Sequence, residues 1–249
     1  MLEFYLDDSG THDEATVTVW GGVVGYKHFM DRLTEAWHRQ LARPCEGKPP
    51  VNAFHSSHLA NGWGEYAGYN QAERDLTRWN FRKIIVDTGV TILAYGISVK
   101  DWNQVVIGLA KQALHSSEQA IFGQAVMAGL RAAKVEDQPI NFQFDAGRDT
   151  PELRAVIRPS IEVAEAEGHD VSYGFSPVAA VPALQAADLV AHETYQFFTE
   201  YLKNPKAKAG PHTRRLFEDA HDSAAGWLGR RQIKAMVTGI NRARRRGEK

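Results

Sequence analysis

The chain has 249 residues, 43% of them hydrophobic, with a formal net charge of -1. That is ample apolar mass for one large domain or two small ones, and it excludes a uniformly basic coat for gripping nucleic acid. No apolar run approaches the ~20 residues that span a bilayer, and Glu3, Asp7 and Asp8 spoil any secretory signal at the start, so a soluble cytoplasmic protein is expected. The single cysteine, Cys45, excludes an internal disulfide and a thiolate zinc site.

The opening stretch, Phe4-Tyr5-Leu6-Asp7-Asp8-Ser9-Gly10-Thr11, reads as an apolar strand running into two carboxylates and a turn. Alternation puts Phe4 and Leu6 on one side and Tyr5 and Asp7 on the other, with Asp8 facing away from Asp7. A carboxylate at the mouth of a core strand is disfavoured unless it is paired, hydrogen-bonded or holding a cation. The plainer alternative is that Asp8 or Ser9 merely makes the turn. Residues 15 to 24, rich in β-branched side chains, read as the second strand of a hairpin. Residues 27 to 43 are helical in pattern, with Phe29, Leu33, Trp37 and Leu41 recurring every fourth residue before Pro44.

Next come Phe54-His55-Ser56-Ser57-His58-Leu59 and a glycine-rich stretch containing Trp63, Tyr66 and Tyr69. Two histidines three apart reach one metal on a helix, but no further nitrogen or sulfur ligand accompanies them. The aromatics either stack on bases or tack a loop to the surface. A helix is expected over 71–87, a strand over 89–99, and helical pieces from Asp101, the second over 117–133 with Ile121, Phe122, Ala125, Val126 and Leu130 buried. Residues 139 to 145 alternate as a strand ending in Asp145. A helix begins near Pro151, a short strand covers 171–176, and Pro182 opens the helix carrying Asp188. There Gln185, Asp188 and His192 share a helix face among packed alanines. The helix dipole explains an acid near an N-terminus by only ~0.3–1 kcal/mol, too little to set a carboxylate among alanines.

Residues 203 to 211 have linker composition, and helices are expected over 213–222 and 229–241. From Arg230 to Lys249 there are eight basic residues against one acid, a local net charge of +7. Such a tail suits phosphates, and equally a solvated C-terminus.

Strands alternating with helices imply a mixed sheet covered by helices, with an antiparallel hairpin at the N-terminus and parallel strands after it. Chemistry in such a sheet gathers at strand ends. Asp7 and Asp145 converge if their strands are adjacent and parallel, and Asp188 can join them. Three acids without cationic partners repel, and a divalent cation with oxygen ligands, Mg²⁺ or Mn²⁺, resolves the repulsion.

These landmarks, Tyr5-Leu6-Asp7-Asp8-Ser9-Gly10, Phe54-His55-Ser56-Ser57-His58-Leu59, Phe144-Asp145 and Leu184-Gln185-Ala186-Ala187-Asp188-Leu189-Val190-Ala191, resemble in order those of the domain of unknown function 3800 family. The resemblance spans residues 2 to about 203. The family often has Asp-Glu-Ser-Gly where this chain has Asp7-Asp8-Ser9-Gly10, and often an acid near the position of His58. The resemblance implies a ribonuclease H-like α/β fold over 1–203 with a helical insertion near 27–88, then a linker, C-terminal helices and the basic tail over 204–249. It implies that Asp7, Asp145 and Asp188 correspond to the metal-binding acids of the first strand, the fourth strand and the last helix. Glu118, near the start of the helix after the third strand, is the candidate fourth acid, although a first-turn glutamate needs no function to explain it.

The expected activity is therefore divalent-metal-dependent phosphodiester hydrolysis on RNA or DNA, with His55 or His192 as proton carrier and Ser9, His55, Gln185 and His192 as substrate contacts. Trp63, Tyr66, Tyr69 and the basic tail would help seat the strand. The alternative is a non-catalytic nucleic-acid- or protein-binding module on the same fold. A third reading, an aspartyl-phosphate hydrolase of haloacid dehalogenase type, lacks its second acid, because Ser9 stands there.

Overall fold

The computed structural model describes residues 1–12, 14–114, 116–206, 210–220 and 222–245. The chain begins with β1 (Leu2–Ser9), turns, and returns antiparallel as β2 (Val17–Tyr26). The turn depends on Gly10, whose φ is +75° and where a Cβ would lie 2.2 Å from the Val17 carbonyl oxygen. The expected helical insertion follows as α1 (Lys27–Ala42), α2 (Ser56–Asn61) and α3 (Gln71–Thr88). Asn70 and Glu73 form a reciprocal capping box that fixes the start of α3.

The chain then re-enters the sheet as β3 (Thr91–Ser98), antiparallel to β2. Two short helices, α4 (Val99–Val105) and α5 (Leu109–Leu114), precede the long α6 (Ser117–Glu136), which starts at a Ser116/Gln119 capping box. β4 (Ile140–Asp145) pairs parallel with β1, a 3-10 turn covers Ala146–Arg148, and α7 (Pro151–Ala166) leads to β5 (Val171–Ser176), parallel to β4. α8 (Pro182–Lys203) follows, with proline in its first turn as its sequence predicts.

The C-terminal part departs from expectation. α9 (Pro211–Glu218) and α10 (Arg230–Arg245) lie close to the expected helices, but between them β6 (Ser223–Leu228) pairs parallel with β3. The result is one six-stranded mixed sheet in the order β5-β4-β1-β2-β3-β6. Arg246 to Lys249, the end of the basic tail, and residues 207–209 of the expected linker lie outside the described residues.

Helices cover both faces of the sheet. Leu2, Phe4, Leu6, Ile140, Phe142 and Phe144 pack against Ile121, Phe122, Ala125 and Val126 of α6 and Leu153, Ile157 and Ile161 of α7. Val23, Ile92 and Ala94 pack on the other face with α8 and with Leu33 and Trp37 of α1 and Phe81 and Ile85 of α3. α8 sits very close to the sheet: a Cβ on Gly21 would lie 2.7 Å from the Ala191 Cα, so only glycine in β2 allows this approach. Among the described residues no helix is long and apolar enough to cross a membrane.

Candidate carboxylate site

The parallel register of β1 and β4 pairs Leu6 with Phe144, so Asp7 and Asp145 follow side by side at the carboxyl ends of adjacent strands. Phe4, Leu6, Phe142 and Phe144 belong to the α6 side. By alternation Asp7 and Asp145 therefore turn toward α8. Asp188 lies in the second turn of α8, over this end of β1, because the Gly21–Ala191 contact holds the helix down on the sheet.

Asp7 is buried at 8% exposure, and its pKa is raised well above the usual carboxylate range. Burial is the largest cause, followed by the charges of Asp188 and Asp8 and, more weakly, Asp145; the Asp8 backbone N–H, donating to Asp7 Oδ1 at 2.9 Å, pulls the other way. Asp188 is pushed up to about 6, again chiefly by burial. The Ser56 backbone N–H opposes this by donating to Asp188 Oδ2 at 2.8 Å, and the nearby positive potential of His58 acts in the same direction. The central segment thus comes to Asp188 through the start of α2, with His55 Nδ1 4.0 Å from Asp188 Oδ2 and the His55 and His58 rings 5.1 Å apart.

On the opposite side of β1, Asp8 meets Arg148, whose Nε lies 2.9 Å from Asp8 Oδ1. The other arm of the same guanidinium pairs with Glu118 of α6. Burial raises the Asp8 carboxyl, with Arg148 opposing. Asp8 still belongs electrostatically to the acids, since its charge acts on both Asp7 and Asp188. Among the described residues, no three His, Cys, Asp or Glu side chains are gathered so as to hold a metal ion as they stand.

No family model matches the chain, and no curated protein matches it. Among solved structures, it is similar to a chain of the PCNA:RNase HII complex from Archaeoglobus fulgidus, at 16% identity over 88% of each chain and a TM-score of 0.42. A likeness of that degree identifies neither a fold family nor an activity.

Several expected site residues take other roles. Glu118 does not join Asp7 and Asp188: α6 covers the other face of the sheet, and the carboxylate is neutralised by Arg148. Gln185 is 1% exposed and fully engaged, so it contacts no substrate. Its Oε1 accepts from Trp37 Nε1 (2.9 Å) and the Phe54 backbone N–H (2.8 Å), and its Nε2 donates to the Val178 and Ala179 carbonyls (3.3 and 3.2 Å).

His192 is pushed down to about 4 by burial, with Arg78 and Arg82 adding to the effect and Glu193 opposing it, and its Nε2 contacts Gln196 Nε2 at 2.7 Å. A ring that is neutral at pH 7 and so weakly basic is a poor proton carrier. Tyr66 and Tyr69 are buried in the core over α3, which removes them from base stacking; Trp63 alone of the three is open, at 60% exposure. Ser9 shares the Asp7 face at the end of β1, and His55 stays open, with a side chain 40% exposed.

Sequence reasoning missed Arg148 and Ser56. Arg148 carried a usable signal, a lone cation three residues past a strand-end aspartate. Ser56 acts first through its backbone N–H, which no side-chain pattern reports.

Proposed function

We infer that this chain is a divalent-metal-dependent phosphodiester hydrolase of ribonuclease H-like type, a nuclease acting on RNA or DNA, and a relative of the domain of unknown function 3800 family. The observation that supports this reading is the placement of Asp7 and Asp145 at the carboxyl ends of adjacent parallel strands, with Asp188 of α8 near enough for its charge to act on Asp7, both Asp7 and Asp188 being held above their ordinary pKa chiefly by burial. Acids are the expected occupants of the first strand, the fourth strand and this helix in such enzymes.

The donor set suits a hard cation in kind, being all carboxylate oxygen, and a dication would offset the burial of Asp7 and Asp188 and the repulsion that Asp188 exerts on Asp7. Bound there, Mg²⁺ or Mn²⁺ would supply positive charge to a phosphodiester's oxygens and acidify a water nucleophile. Asp7, Asp145 and Asp188 would hold the ion. The Ser56 N–H fixes the orientation of the Asp188 carboxylate through Oδ2. His55, beside Asp188 and open to solvent, would pass a proton to or from the leaving group. Trp63 offers the exposed ring for stacking a base.

Calorimetric titration of Mn²⁺ into the wild type and into Asp7→Asn, Asp145→Asn and Asp188→Asn tests this directly, followed by cleavage of labelled single-stranded RNA and DNA. Binding and cleavage lost together in all three variants is the expected result. Metal binding that is absent, or indifferent to all three changes, sinks the reading. The near-neutral charge of the chain favours a second reading, a non-catalytic binding module, which the same experiment reports as oligonucleotide binding without cleavage.

A further inference from the structure

β1 and β3 both run antiparallel to β2, so their carboxyl ends lie on one rim of the sheet, with Ser9 opposite Val19 and Ser98 opposite Val17. β6 is parallel to β3 and ends on the same rim, at Leu228. Beside Ser98 this rim holds a cleft of about 660 Å³, lined among others by Thr16, Lys100, Asp101, Thr199, Lys203 and Arg230. Three cations from three separate elements, α4, α8 and α10, converge there against a single lining acid. Asp101 is only loosely engaged, 3.9 Å from Arg230, whose Nη1 donates to Gln104 Oε1 at 2.7 Å. Lys203 reaches Glu200 only at 3.9 Å. The Thr199 hydroxyl is buried and has no hydrogen-bond partner among the described residues. Gathered cations with hydroxyl donors between them are arranged for an anion with several acceptor oxygens.

The position of the cleft says which anion. Ser98 stands two strand spacings, about 10 Å, from Ser9 along the rim, and Thr199 stands eleven residues, about 16 Å, along α8 from Asp188. At ~3.4 Å of helix axis per phosphate of one strand in B-form duplex, that is a separation of about three to five phosphates. We propose that this cleft is a phosphate-binding subsite that holds the backbone of a polynucleotide several nucleotides away from the carboxylate site. The assignment of a polynucleotide rests on the nuclease reading; the assignment of phosphate rests on the cleft itself.

The test is fluorescence anisotropy in EDTA, which removes the need for metal or catalysis. Labelled single-stranded RNA and DNA 12-mers are titrated with the wild type and with Lys100→Ala/Lys203→Ala/Arg230→Ala, and inorganic phosphate is titrated in parallel by calorimetry. The three side chains are exposed, and an unchanged melting temperature verifies the fold; Lys100→Glu alone is the second variant. The expected result is at least tenfold weaker oligonucleotide binding by the triple variant, an intermediate loss for Lys100→Glu, and a log–log salt dependence shallower by about 2, from ~0.7 per lost contact on a single strand. Equal oligonucleotide affinity and salt slope in all proteins, or no binding of either probe, overturns the proposal. Loss of phosphate binding in the triple variant, with no oligonucleotide binding by the wild type, overturns the polynucleotide assignment and leaves a site for free phosphate. Failure of Mn²⁺ binding or cleavage elsewhere overturns the nuclease reading alone, because these measurements contain no metal.

Discussion

Arg148 Nε lies 2.9 Å from Asp8 Oδ1 while the other arm of its guanidinium holds Glu118, so one cation ties the end of β1 to the start of α6. The sheet's acids are thereby divided: Asp8 and Glu118 share an arginine counter-ion, whereas among the described residues Asp7 and Asp188 have no Lys or Arg in an ion pair, only the histidines beside Asp188. Arg148→Ala should lower stability at neutral pH by about 1–3 kcal/mol, because it leaves two carboxylates without their partner. Urea unfolding checks this, and the double variant Arg148→Ala/Glu118→Gln should recover part of the loss. Strictly additive effects would show that the guanidinium is not a bridge.

Asp188 and His192 give the fold opposing responses to pH. Asp188, raised to about 6, binds more protons folded than unfolded between about 4 and 6, so its contribution to stability falls as pH rises through that window. His192, lowered to about 4, binds fewer protons folded than unfolded between about 4 and its ordinary 6.5, so its contribution rises with pH. Metal-free Asp188→Asn should therefore gain on the order of 2–3 kcal/mol over wild type on going from pH 4 to pH 7.5. His192→Gln should lose less stability than wild type on acidification from pH 7 to pH 4. Chemical unfolding at a series of pH values in EDTA reads both, and gaps that stay constant with pH would contradict the assigned shifts.

Gln185 joins α8 to α1 and to the segment leading into α2, through Trp37 and Phe54. Gln185→Ala strands two buried donors and should cost about 2–5 kcal/mol. Because the Phe54–Ser56 backbone also delivers the N–H that fixes Asp188, the variant should lose Mn²⁺ affinity as well as thermal stability. A variant with a lower melting temperature and an unchanged Mn²⁺ titration would limit Gln185 to the core.

Gly21→Ala would drive a methyl group into the α8 backbone at Ala191, 2.7 Å away. The helix must lift, at a cost of about 1–3 kcal/mol, and Asp188 lifts with it. A fall in melting temperature of several degrees, together with weaker Mn²⁺ binding, is expected; unaltered thermal unfolding would show that α8 has room to spare.

The strands and helices that carry the acids were legible because their patterns are strong: alternation in Phe4-Tyr5-Leu6-Asp7 and in Ile140 to Asp145, and the four-residue recurrence of Leu33, Trp37 and Leu41. Asp7, Asp145 and Asp188 stood out because each interrupts an apolar setting. What failed was whatever depends on the partner across space. Glu118 has the right place in the chain, but the sheet lies between it and Asp188. Gln185 and Asp188 share a helix face in sequence, yet one faces the Trp37 indole and the Phe54 amide and the other the start of α2. Tyr66 and Tyr69 resembled a stacking platform because glycines flank them, and burial beneath α1 and α3 appears in no local pattern. β6 was missed because Ser-Ala-Ala-Gly-Trp-Leu has small residues and no β-branched ones; the open edge of β3 makes it a strand.

That late strand bears on how the protein is made. Each β3 residue is synthesised 131 residues before its partner in the outer strand, as the register of Ile92 with Ser223 and of Ile97 with Leu228 sets out. Until the C-terminal segment has emerged, the nascent chain displays a bare row of β3 amides and carbonyls, the surface on which two unfinished copies can zip together. A ribosome that stops near Lys203 would therefore release a chain that has every candidate metal-binding acid and is nonetheless sticky.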